Sequence, residues 1–67
     1  MITGVVAHFD ERRGDGVVRT DDASSYYFHC VSIADGSRTI RVGARVRARR
    51  VAGHVGHDEA AEVTPLD

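Results

Sequence analysis

The sequence predicts an all-β fold, one small barrel of five antiparallel strands. Three observations carry this. No segment holds apolar residues at i, i+3, i+4 and i+7 over three turns, so no amphipathic helix is supported. Short runs rich in Val, Ile, Thr, Tyr and Phe recur, and clusters of Gly, Asp and Ser break them. The connections are short except for one long irregular link after the third run.

The elements follow in order. Ile2–Asp10 reads as a first strand with Val5 and Val6 at its centre. Glu11–Gly16, "ERRGDG", is a turn, and Gly16–Thr20 the second strand. "DDASS" is a second turn, because Asp and Ser side chains hydrogen-bond their own backbone. Ser25–Cys30 is the third strand, with Tyr27 and His29 on one face and Tyr26 and Phe28 on the other. In the link Val31–Val42, "SIADG" has room for a helical turn that Gly36 would stop. Ala44–Ala52 is the fourth strand, where Val46 and Ala48 alternate with Arg45, Arg47 and Arg49. Arg50 and Val51 break that alternation, which predicts a bulge or the sheet rim. Glu59–Thr64 is the last strand, ended by Pro65. Three strands with short turns, a crossover and two more strands is the plan of a small Greek-key barrel of the OB type.

A chain of 67 residues reads as a single domain, residues 1–67, with a small core. The lone cysteine, Cys30, excludes an internal disulfide framework. The start of the sequence does not read as a secretory signal, so a reducing, cytoplasmic setting is expected. No apolar run approaches the roughly 20 residues of a membrane span. The formal net charge is −1, and all 9 basic residues are arginine. Six of them, Arg38 to Arg50, occupy a segment without an acid.

The ordered motifs resemble the cold-shock domain family of small bacterial proteins over nearly the whole chain. "TGVVAHFD" resembles the family's opening Gly-Thr-Val-Lys-Trp-Phe-Asn run, and "RGDGVV" sits at its Lys-Gly-Phe-Gly-Phe-Ile motif. "YYFHCVSI" is similar to Val-Phe-Val-His-Phe-Ser-Ala-Ile. "DGSRTIRVGARV" and "DEAAEV" resemble the later Gly-Phe-x-x-Leu-x-x-Gly-x-x-Val and Gln-Ala-Ala-Asn-Val runs. The resemblance implies a single-stranded RNA or DNA binder, with bases stacked on exposed rings and cations along the phosphates. It places stacking faces at His8, Phe9, Tyr27 and His29, and phosphate contacts at Arg13, Arg19 and Arg38. Asp15, Val17 and Cys30 stand where the family has aromatic residues, so weak or altered binding is expected. The rival reading is a barrel that has left nucleic acid for a protein partner.

Other patterns point elsewhere less well. His54 and His57 supply two possible metal ligands, short of a closed site, and no metal or cofactor is expected. Cys30 lacks the neighbouring base a nucleophile needs, so an enzyme is not expected. Arg13-Gly14-Asp15 matches an adhesion tripeptide by chance. Ala48 leaves the core to Phe28 and Ile33, and an inward Arg50 would need Glu59 or Glu62. A monomer is expected, or a weak dimer paired through an open barrel edge.

Overall fold

The computed structural model describes residues 1–53 and 58–66. It contains β1 (Ile2–Asp10), β2 (Asp15–Thr20), β3 (Ser25–His29), a short 3-10 turn (Cys30–Ser32), β4 (Arg45–Ala52) and β5 (Asp58–Pro65). The strands close into a barrel in the order β1-β2-β3-β5-β4, consistent with an OB-like barrel. The metal-ligand pair considered above, His54 and His57, lies outside the described residues.

The all-antiparallel expectation is corrected at one seam. β3 and β5 run parallel, with Tyr27 opposite Glu59. The reason is parity: strand direction cannot alternate all the way around a closed ring of five. The link after β3 carries the chain over one end of the barrel, so β4 pairs with β1 and β5 returns beside β3. Closure also gives each of the five strands two neighbours, so the open edge that motivated a strand-paired dimer is not found among them.

Alternation along each strand decides what is buried. Val6 of β1, Val18 of β2, Phe28 of β3, Val46 and Ala48 of β4, and Ala60 and Val63 of β5 point inward. Ile33 closes one end, where it bridges Val63 and the Ala34 N–H donates to the Val63 carbonyl at 2.8 Å. The 3-10 turn falls at Cys30–Ser32, just before the expected segment, which itself holds a turn in which the Gly36 N–H donates to the Ile33 carbonyl at 3.1 Å and Gly36 takes φ at 74°. Phe28 is the largest fully buried side chain and Ile33 is 3% exposed, and both belong to the same core cluster as Ala48.

Two irregularities orient the surface. A register shift between Val6 and His8 turns His8 outward and leaves Phe9 half-buried against the core. A second shift lies opposite Ala48 and its extra residue is on β5, since Arg47 pairs with Thr64 and Arg49 with Ala61, and Glu62 takes φ at 53°. The inward placement expected of Arg50 is corrected: Arg50 is exposed near the end of β4 and paired with Asp58 at 3.3 Å rather than with Glu59 or Glu62. Glu62 pairs instead with Arg49 at 3.2 Å.

The β1–β2 turn explains two glycines. Asp10 Oδ1 accepts the Arg12 and Arg13 backbone N–H groups at 2.9 and 3.2 Å. The Gly14 N–H then donates to the Asp10 carbonyl at 2.8 Å, with φ at 71°, the left-handed region glycine enters freely. Gly16 faces inward, and a Cβ there would overlap the His8 carbonyl and approach the Phe28 ring to 2.9 Å. Gly16→Ala is therefore expected to cost about 1–3 kcal/mol through overpacking. A thermal melt should fall by roughly 5–20 °C for a domain of this size. A melting temperature within about 2 °C of wild type would show that β1 and β2 separate easily here.

Candidate nucleic-acid interface

The outer face of β1–β2–β3 gathers most of the residues singled out by sequence. Register places His8 opposite Val17, and Val17 opposite Tyr27, in one cross-strand row. The next row along is Asp10, Asp15 and His29, and on the other side Val5, Arg19 and Ser25. Side chains two residues apart on a strand share a face, so the three rows form one surface. His8, Arg19 and His29 are exposed, and Tyr27 is 38% exposed. The Tyr27 and His29 rings meet edge to face, with centroids 5.8 Å apart and planes at 85°.

Phe9 is placed differently from the other rings. It stacks on Phe28 inside the barrel wall, with centroids 6.0 Å apart and planes at 12°. Only its outer part reaches a groove of about 530 Å³ beside His8, between the β1–β2 turn and Ile40–Val42. The groove is lined by His8, Phe9, Arg12, Ile40, Arg41 and Val42, with Asp10 and Glu11 at the turn. Thr39 Oγ1 donates to Glu11 Oε1 at 3.2 Å and holds the link against that turn. Arg38, the neighbouring residue, is exposed on the link and lies outside the three rows, with φ at 61°.

Asp15 is the residue whose role sequence did not show. Its position on the outer face would put a carboxylate among the rings, yet it is only 8% exposed. Tyr27 Oη donates to Asp15 Oδ2 at 2.9 Å, and an Arg13 guanidinium nitrogen lies 3.4 Å from the same oxygen. The carboxylate is thus folded beneath the tyrosine and the arginine. The hydrogen bond to Asp15 raises the Tyr27 phenol above its ordinary value of 10.0, so the phenol remains a donor at neutral pH. Arg13 is drawn toward Asp15, which reduces its freedom to reach a phosphate. Tyr27 and Asp15 are 12 positions apart, and no local pattern links them. Ile40, Arg41 and Val42 were also missed as site residues, because only the fold of the link brings them beside His8.

Cys30 is half-buried and leaves the surface. Its N–H donates to the Gly14 carbonyl at 2.7 Å, and its sulfur packs near Gly14. Among the described residues no helix is long and apolar enough to cross a membrane. Compared with known families and characterised proteins, the chain matches no family model and no characterised sequence.

Proposed function

We propose that this chain is a weak, largely sequence-tolerant binder of single-stranded RNA or DNA, a cold-shock-type Greek-key OB barrel. The observation that carries the reading is the row His8–Val17–Tyr27 on an exposed sheet face, with His29 set edge-on to Tyr27. Rings on such a face stack bases whatever their identity, each stack contributing about 1–3 kcal/mol. Exposed Arg19 beside the row, and Arg12 and Arg41 on the groove, supply salt-sensitive phosphate contacts. The reading involves binding without a catalytic step, a cofactor or a metal, in the cytoplasm.

One observation favours the rival reading, a barrel that binds a protein. Asp15 and Arg13 occupy part of the face that bases would use, and Val17 gives it an aliphatic centre. Fluorescence anisotropy with a labelled pyrimidine-rich single strand separates the two readings. Binding that weakens with added salt is the expected result. Absence of binding at tens of micromolar protein in low salt overturns the nucleic-acid reading.

Asp15→Asn tests the electrostatics of the same face. The amide oxygen still accepts the Tyr27 hydroxyl, while the negative charge goes and Arg13 is released. Tightening of about fivefold is expected, equivalent to about 1 kcal/mol from one additional cation–phosphate contact. Weaker binding in Asp15→Asn would mean that the carboxylate supports the binding face rather than opposing the strand.

A further inference from the structure

Resting on the nucleic-acid reading, we propose that the bound strand continues past the rings along an arginine band, Arg19–Arg45–Arg47, that wraps from β2 across β1 to β4. Register carries the argument. Val5 of β1 lies between two arginines, opposite Arg19 on one side and Arg45 on the other. Thr3, two residues along the same face, lies opposite Arg47. In sequence Arg19 is separated from Arg45 by the whole link, and only barrel closure through β1–β4 brings them together.

Arg19 and Arg45 are two strand spacings apart, roughly 10 Å, and Arg47 is about 7 Å further along β4. All three are exposed, and none forms an ion pair with the described residues. Arg49 and Arg50, just beyond the β4–β5 register shift, are both paired, with Glu62 and Asp58. Among the described residues the strand therefore divides into Arg45 and Arg47, which form no ion pair, and Arg49 and Arg50, which are paired with acids of β5. Among the described residues the acids near the band are Asp21 and Asp22, which border the surface around Thr3. Asp22 is engaged within its own turn, accepting the Thr20 hydroxyl and the Ser24 N–H.

The band adjoins the rings. Arg19 lies two residues from Val17 on one strand face, so a backbone leaving the His8–Val17–Tyr27 row meets Arg19 first and then Arg45 and Arg47. Arginine on this path binds successive phosphates without reading bases, which lengthens the site beyond the stacked nucleotides.

The test measures affinity against salt and against length, with single strands of about 4 to 16 nucleotides, the range of OB site sizes. Wild type is expected to gain affinity with length beyond the shortest strands. Arg45→Gln with Arg47→Gln should lower the slope of log K against log salt by about 1.4, from two lost phosphate contacts. That variant should also lose the gain with length while keeping the affinity for the shortest strand. Arg45→Lys with Arg47→Lys should restore the slope, and Arg49→Gln with Arg50→Gln, an equal loss of charge at paired positions, should change it by less than half as much. An unchanged slope and length dependence in the Arg45/Arg47 glutamine variant, alongside weakened binding in Tyr27→Ala, overturns the band and leaves the ring face standing. If wild type binds no strand of any length, both fall. Capture of an acidic peptide in place of the strand, abolished by the same glutamine pair, likewise overturns the proposal and reassigns the band to a protein.

Discussion

Phe28→Ala is expected to bring the chain to the edge of unfolding. Phe28 is fully buried and is the largest side chain in a core otherwise made of Val, Ile and Ala. Its ring lies against Phe9 and fills the space beside Gly16. Ala44, Ala48 and Ala60 are too short to move into the void, and the strands around it are closed into a ring. Truncating a buried Phe typically costs about 3–5 kcal/mol, the lost transfer energy plus the cavity. At roughly 0.05–0.15 kcal/mol per residue, a chain of this length has about 3–10 kcal/mol in total. Urea unfolding followed by circular dichroism should show the midpoint falling by about 2–5 M, given a slope near 1–1.5 kcal/mol/M for a small domain. A shift below about 1 M would show that the core repacks around the hole. Phe9→Ala, at a half-buried position, should shift the midpoint less.

Tyr27→Ala should have the largest effect on single-strand binding. Tyr27 is the one large ring on the exposed face, flanked by Val17 on β2 and by His29 along its own strand. Loss of one base stack, about 1–3 kcal/mol, corresponds to roughly a 5- to 150-fold rise in Kd. Stability should change little, since the ring is 38% exposed. Tyr27→Phe divides the effect, because it keeps the stacking face and removes the hydroxyl bonded to Asp15. If stacking dominates, Tyr27→Phe binds within a few-fold of wild type and Tyr27→Ala does not. Equal Kd values for wild type and Tyr27→Ala would show that the strand passes elsewhere on the barrel.

The two variants probe different depths of one strand. β3 runs Ser25–His29, with Phe28 inward and Tyr27 outward. Period-two alternation puts Tyr27 and Phe28 on opposite faces from residue order alone, and the resemblance to the cold-shock family chose Tyr27 as the outer one. The same alternation identified Val46 and Ala48 as core and Arg45 and Arg47 as surface. It failed at Arg50, which the end of β4 leaves exposed beside Asp58, and alternation cannot show where a strand leaves the core. At Phe9 the bulge between Val6 and His8 had the same consequence, turning a ring expected to stack bases toward Phe28.

By itself the sequence determined the all-β class, the number and order of strands, their limits to within one or two residues, and the turn within Glu11–Gly16. These depend on neighbours along the chain: β-branched runs, side chains that bond nearby backbone, and glycine where φ is positive. Tertiary structure alone decided the parallel β3–β5 seam, the covering of Asp15 by Tyr27 and Arg13, the groove beside Ile40–Val42, and the meeting of Arg19 with Arg45. Each of these joins residues on different strands or across the link. Their register is set by how the small core packs when the barrel closes, and that packing leaves no local trace in the order of the residues.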